Sequence, residues 1–317
     1  MRVDPTTRVP FGRTGLSVTR LGLGLAPIGG LFTPVGDAVA AATVARAWDR
    51  GLRLFDTAPL YGYGLSERRT GAVLANRPRA EFVLATKVGR VLEPGGTDAQ
   101  DFWPEAPPGI TPRFDFSAPA VHRSLAGSLD RLGLDRVDVV HVHDPDDHLD
   151  EALGEAVPAL VELRKEGRIG AVSVGMNQVP ALIRFVAEID GLDAVLVAGR
   201  YTLLDRSAGD ELLPLCLERG VAVLAAGVYN SGLLADPAPG ARYDYRTAPE
   251  ALIARAQALR ALCEQHGVPL RAAAIQFPAR HPTVTAVVVG ARSAAEVDDA
   301  VAMFAHPIPD ALWADLK

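Results

Sequence analysis

Eight short apolar runs, each followed by an amphipathic stretch, limit most strongly what this chain can fold into. The runs span residues 20–25, 53–57, 82–86, 137–141, 170–174, 194–197, 221–225 and 284–289. Helical patterns follow at 38–49, 66–74, 118–132, 149–167, 179–189, 209–219, 250–266 and 294–304. The best formed is 149–167, with Leu153, Val157, Leu160 and Leu163 on one face and Gly167 as its stop. Strands that alternate with helices predict a parallel sheet. With 317 residues and no change of composition along the chain, that sheet is expected to close into one (β/α)8 TIM barrel over residues 1–317.

Composition narrows the function classes. Hydrophobic residues make up 49% and charged residues 22%, which excludes a disordered chain. Lys plus Arg number 32 against 38 Asp plus Glu, a net charge of −6. Phosphate backbones need a basic stripe, so no nucleic-acid partner is expected. Two cysteines, Cys216 and Cys263, are too few for a disulfide framework and read as small buried hydrophobes. No apolar run reaches the roughly 18 residues of a membrane span. The opening MRVDPTTRVPFGRTG lacks the apolar core of a secretory signal. A cytoplasmic protein is expected, with neither membrane nor metal.

Two connections are long: 89–116, rich in Pro and Gly, and 233–249. Loops of that length inside a compact domain are usually functional. Both follow strands, so a barrel would carry both at its C-terminal mouth, where active sites lie. The segment Phe55-Asp56-Thr57-Ala58-Pro59-Leu60-Tyr61-Gly62-Tyr63-Gly64-Leu65-Ser66-Glu67-Arg68 is the most informative in the chain. A strand delivers Asp56, a Gly-rich turn carries Tyr61, and Ser66 is placed to cap the next helix. The following strands end in Lys87 and in His143-Asp144-Pro145. Three successive polar strand ends would meet at one mouth. Tyr63 reads as packing.

These motifs resemble the aldo-keto reductase family: an Asp-Thr-Ala turn with Tyr-Gly-x-Gly-x-Ser-Glu, a Thr-Lys strand end and a His strand end. The resemblance runs from Phe11-Gly12-Arg13-Thr14-Gly15-Leu16 to Gly290-Ala291-Arg292-Ser293. It implies a catalytic tetrad of Asp56, Tyr61, Lys87 and His143. His143 is preferred to His141 because the family places its His just after the apolar run. The chemistry needs these types. A free tyrosine, with a pKa of about 10, is a poor base near neutrality, and a nearby ammonium lowers that value. Asp56 would orient Lys87, and His143 would hold the substrate oxygen. Tyr61 would serve as general acid in reduction and general base in oxidation.

The same resemblance implies a nicotinamide cofactor across the mouth. Gly24 and Leu25 would lie by the nicotinamide, and Asn177 would meet the carboxamide, since Gly175 and Met176 fill the family's usual Ser-Asn positions. The family's ring-stacking aromatic aligns near Ala226, which implies either weaker stacking or a substitute in Tyr229. Gly227, Val228, Tyr229, Ser231 and Gly232 would face the pyrophosphate. At the adenosine end, Gly290 replaces the usual Lys and Glu296 the usual Arg, with Arg292 between them. A carboxylate accepts from a ribose diol and repels a 2′-phosphate, so NAD is expected, with NADP kept open by Arg292. The stretches His143-Asp144-Pro145-Asp146-Asp147, Gly175-Met176-Asn177-Gln178 and 198–205 resemble the L-fucose or D-threo-aldose 1-dehydrogenase branch. That branch also contains pyridoxal 4-dehydrogenases and is similar to plant L-galactose dehydrogenases. The implied reaction oxidises the anomeric hydroxyl of an aldose of the L-fucose, L-galactose or D-arabinose type to its lactone. Phe32, Tyr61, Trp103, His143 and Arg200 are the substrate-site candidates. The rivals are pyridoxal oxidation, NADPH-dependent aldehyde reduction, and a nicotinamide-binding regulatory subunit without catalysis.

Overall fold

The computed structural model describes residues 4–316. All eight apolar runs become strands: β1 Leu21–Gly24, β2 Leu54–Asp56, β3 Val83–Val88, β4 Val139–His143, β5 Ala171–Met176, β6 Ala194–Ala198, β7 Ala222–Ala226 and β8 Val284–Gly290. They pair in parallel and in chain order, and β8 closes on β1 to complete the barrel. Small and branched side chains fill the interior, among them Leu54, Val83, Val139, Ala194, Leu224 and Ala286. An N-terminal hairpin, Arg8–Pro10 with Ser17–Thr19, brings Phe11 and Val18 into the same cluster. The Gly12 backbone lies against Asp193 and Ala222, where β6 and β7 begin, so the hairpin covers the N-terminal end of the barrel. The opposite end is left as the mouth.

The helix layer departs from expectation in one place. The amphipathic helix Glu250–Gln265 does not fill the barrel layer between β7 and β8. That position belongs to the short helix Leu270–Gln276, six of whose residues are buried. Its Gln276 ties it to the next strand's helix, donating to Met303 O and His306 O at 2.8 Å each. The longer helix buries only Ala256 and Cys263 and belongs to a satellite core with Leu233, Leu234 and Leu312. Its weak amphipathy leaves one narrow stripe to bury, and an outer position satisfies that. Both cysteines are buried and free. Burial pushes their thiols up, to about 12 for Cys216 and about 11 for Cys263.

The two long loops cross the mouth. The first contains an antiparallel hairpin, Arg90–Glu93 with Thr111–Phe114. The second carries a two-residue pairing, Arg242–Tyr243 with Arg246–Thr247, around Asp244 and Tyr245 at positive φ. Where the loop after β1 meets the Tyr61 turn, glycine is required on both sides. A Cβ at Gly62 would lie 2.2 Å from Gly29 O, and one at Gly29 would lie 2.8 Å from the Tyr61 carbonyl carbon. Two bare backbones packed face to face hold the Tyr61 turn in place.

Candidate active site

Strand register brings the polar strand ends together. Asp56 ends β2 beside Gly24 of β1, Lys87 of β3 pairs with His141 of β4, and His143 ends β4 beside Gly175. Lys87 is 2% exposed and Asp56 4%. Lys87 Nζ lies 2.6 and 2.7 Å from the two Asp56 carboxylate oxygens and 3.0 Å from Thr57 O. An ammonium has three N–H bonds, and these contacts use all three. The Nζ atom is also 5.1 Å from the centre of the Tyr61 ring. His143 meets Tyr61 edge to face, with ring centres 5.7 Å apart at 88°.

Burial and Asp56 dominate the electrostatics of the resting site. Lys87 is paired with Asp56 and is not among the leading influences on the Tyr61 phenol. Burial first, and then the Asp56 charge, hold the phenol well above its usual value. Burial by itself would also raise the Asp56 carboxyl, but Lys87 and His141 more than offset it and keep it below the ordinary carboxylate value. Burial, aided by the positive Arg90 and Lys87, drives His143 well below the usual imidazole range, so it is neutral at pH 7.

Two further charges, to which the sequence assigns no role, complete the mouth. Arg90 donates to Asp144 at 3.1 Å. Asp144 sits at φ 42 and comes within 3.6 Å of His143 Nε2. Burial pushes its carboxyl up to about 6 despite Arg90. The segment His143-Asp144-Pro145 held the signal for Asp144, whereas Arg90 lies 54 residues away from its partner and left none.

An aromatic wall closes one side. Trp103 is buried and its ring centre lies 5.9 Å from that of Tyr61. Its indole N–H donates to Gln100 Oε1 at 2.9 Å, and Tyr63 Oη accepts the Gln100 N–H at 2.7 Å. Tyr63 thus anchors the loop that carries Trp103, as packing. Phe32, Phe102 and Tyr245 meet above them, the last two stacked at 5.5 Å. Glu105 fastens this loop from outside by accepting from Val35 N (2.8 Å) and pairing with Arg69 (3.2 Å).

Other expected residues have different occupations. Ser66 is not the helix cap. Gly64 holds that position, and Ser66 Oγ donates to Leu25 O at 2.9 Å and meets Thr57 Oγ1 at 2.8 Å, tying β1 to β2. Arg200 is committed to Asp244, at 3.0 and 2.6 Å, and so holds the second loop rather than reaching Tyr61. Tyr229 packs between the main and satellite cores, and Asp299 and Arg271 of the outer layer influence its hydroxyl. Its ring is therefore no substitute for a stacking aromatic at the mouth. In its loop, the Gly232 N–H is spent on Tyr229 O and Ser231 Oγ accepts from Tyr245 N, while Val228 is buried. Leu25 is buried with its carbonyl facing Ser66. Asn177 lies partly exposed just beyond β5. Glu296 is held by its own helix: it accepts from Arg292 N at 3.0 Å, while its N–H donates to Ser293 Oγ at 3.2 Å. Ser293 caps the helix, and Glu296 reaches back to the residue before the cap rather than to Ser293 itself.

The chain matches the model of the aldo/keto reductase family over residues 20–317. It belongs to that family. This aldo/keto reductase is an oxidoreductase that uses a nicotinamide cofactor. It is 44% identical to a D-threo-aldose 1-dehydrogenase from Pseudomonas sp, over 98% of this chain and 97% of the relative. It is 41% identical to a pyridoxal 4-dehydrogenase from Microbacterium luteolum, over 100% and 98%. Among solved structures, the holo form of an aldo-keto reductase from Bacillus halodurans superposes with a TM-score of 0.77 at 26% identity, over 98% of this chain and 95% of that one.

The mouth of this reductase fits the cofactor's chemistry. Ser293 opens the helix Ala294–Phe304, with Arg292 directly before it. Arg292 reaches Thr33 Oγ1 at 2.9 Å, joining the loops after the neighbouring strands β8 and β1. A helix N-terminus beside a guanidinium is a donor set for phosphate. Asn230 is buried between the ends of β6 and β7. Its amide donates to Gly199 O at 3.1 Å, and its Oδ1 has no partner among the described residues. No helix among the described residues is long and apolar enough to cross a membrane. No cluster among them could hold a metal ion.

Proposed function

We propose that this reductase oxidises the anomeric C1 hydroxyl of an aldose to its lactone, with NAD preferred over NADP. The observation that carries the reading is the likeness to a D-threo-aldose 1-dehydrogenase over nearly the full length of both chains. The site's chemistry agrees with it. The rings of Tyr61 and neutral His143 meet edge to face, and a phenol beside an imidazole suits a carbinol oxygen. Trp103 supplies an apolar face beside it, and the Arg90–Asp144 pair supplies charged partners of the kind sugar hydroxyls take.

The residues divide the work as follows. His143 holds the C1 oxygen. In oxidation Tyr61 first loses its phenolic proton to solvent and, as the phenolate, takes the C1 hydroxyl proton at its own Oη; in reduction it returns that proton. Lys87 stabilises the phenolate as it forms, and Asp56 keeps Lys87 in position. The bound nicotinamide supplies the hydride acceptor. Gly290, Arg292 and Glu296 would hold the adenosine ribose, where Glu296 would favour a free diol over a 2′-phosphate.

The test follows reduced nicotinamide by its absorbance, with NAD and NADP supplied separately and L-fucose, L-galactose, D-arabinose and pyridoxal as substrates. Turnover of the sugars with NAD supports the whole reading. Activity on pyridoxal alone keeps the residue roles and replaces the substrate. Turnover of sugars with NADP only overturns the reading of Glu296. Silence with every pair overturns the proposed reaction.

A further inference from the structure

A second histidine lies one layer below His143. Residues 139, 141 and 143 alternate onto the same side of β4, so His141 also points into the barrel. It has no exposed surface. Its Nδ1 is 2.8 Å from Ser173 Oγ on β5. Its Nε2 is 3.3 Å from Asp56 Oδ1, the same oxygen that receives Lys87 at 2.6 Å. That contact is too poorly aligned to count as a formed hydrogen bond, and Nε2 has no other partner.

The neighbours decide where the ring proton sits. An ionised carboxylate only accepts, so the nitrogen facing Asp56 carries the hydrogen. Nδ1 then accepts from the Ser173 hydroxyl. Burial lowers the imidazole's proton affinity, and Asp56 only partly restores it, so the ring is neutral. An apolar residue would fill this space without leaving a buried donor underused. The barrel therefore holds an underused donor 3.3 Å from the oxygen that Lys87 must loosen if it is to turn toward Tyr61.

We propose that His141 is a positioning residue that takes over Asp56 Oδ1 when Lys87 shifts an N–H toward the Tyr61 oxygen. Lys87 has no spare N–H in the resting arrangement, so stabilising a phenolate requires it to give one up. The His141 N–H closes the 3.3 Å gap and keeps the buried carboxylate satisfied. Ser173 fixes the tautomer that makes this possible. The inference rests on the reading of Tyr61 as the proton acceptor.

The groups that set the response are few. His141 faces Asp56 of β2, Lys87 of β3 and Ser173 of β5, with His143 above it on β4. Tyr61 lies under the influence of Asp56, Asp144, Tyr245 and Arg90. Removing the His141 donor leaves Lys87 bound to Asp56, so the phenol becomes harder to ionise. The pH profile of kcat for sugar oxidation in His141→Leu should move to higher pH by about one unit, roughly a tenfold loss of kcat near neutrality. KM should stay unchanged, since His141 does not reach the mouth. His141→Gln, whose amide nitrogen falls near the lost Nε2, should recover most of the shift. A His141→Leu profile that superimposes on the parent, or a Gln variant no better than Leu, overturns the proposal. If His141→Leu does not fold, Ser173→Ala is read instead. A smaller shift in the same direction supports the proposal, and an unmoved profile overturns it. Ring-nitrogen NMR of the parent should show His141 neutral at pH 7 and protonated on Nε2, and the opposite tautomer overturns the proposal. Tyr61→Phe separates the two readings. If that variant turns over normally, the general-base reading fails. If it is inactive while the His141→Leu profile matches the parent, only the present inference fails.

Discussion

The two halves of the mouth are built differently. On the side of β2, β3 and β4, Asp56, Lys87 and His143 sit on strands, and all are at most 6% exposed. The parallel register sets their spacing, and a doubly contacted ion pair locks it. On the side of β7 and β8, the partners are loop backbones, a helix end and the half-exposed pair Arg292 and Glu296. In that half the ion pairs hold loops in place, as Arg200 does with Asp244. The proton-handling half is therefore rigid and intolerant of change. The half proposed to hold the cofactor is adjustable, because its interactions are screened by solvent.

Substitutions should reproduce that contrast. The largest effect is expected at Tyr61. Tyr61→Phe removes the proton carrier and should lower kcat by on the order of 10²–10⁴-fold while cofactor affinity, read by fluorescence titration, stays unchanged. Normal turnover would place the proton carrier elsewhere. Next is Lys87→Met, which strands a buried Asp56 carboxylate. It should cost about 3–5 kcal/mol in urea unfolding, as breaking a buried pair does. A loss below about 1 kcal/mol would mean that the pair is as weak as a surface one.

The pH response should follow from the Tyr61 environment. The phenol is held above its usual value, so it is protonated at neutral pH. Reduction consumes that proton and should be nearly flat around pH 7. Oxidation needs Tyr61 to accept a proton and should climb with pH through the alkaline range. Parallel profiles in the two directions would contradict this assignment. A further inflection, in KM, is expected where Asp144 titrates, near pH 6. Asp144→Asn should erase it.

The adjustable half should respond least. Glu296→Arg is expected to move the ratio of NADP to NAD efficiency toward NADP, at a stability cost of about 0.3–1 kcal/mol from the lost acid in the helix's first turn. An unchanged ratio with that cost would leave Glu296 only its structural role. Arg200→Ala should change stability by under about 1 kcal/mol, because Asp244 remains largely hydrated.

Much of the barrel was legible because its signal is local. Each strand is a run of adjacent apolar residues, and each long helix repeats its own stripe. The helix Leu270–Gln276 escaped notice because seven residues carry too few turns to display a period. The π turn at Ala152–Ala156, inside the helical stretch 149–165, also left no trace in the pattern. In the site, strand ends gave Asp56, Lys87 and His143 together, since a parallel barrel delivers all its strand ends to one mouth.

What the sequence by itself determined is the order of strands and helices and the chemistry available at the mouth. Tertiary structure decided which of those groups meet. His141 and His143 have the same parity on one strand, and only their depth in the barrel separates a side chain beside Tyr61 from one beneath Asp56. Arg200 and Asp244 are 44 residues apart, and Arg90 and Asp144 are 54. Glu296 reads as a ligand for a ribose, and only the folded helix shows that it also accepts from the Arg292 N–H. Periodicity is written between neighbours along the chain, whereas ion pairing depends on register and loop closure between residues that no local pattern connects.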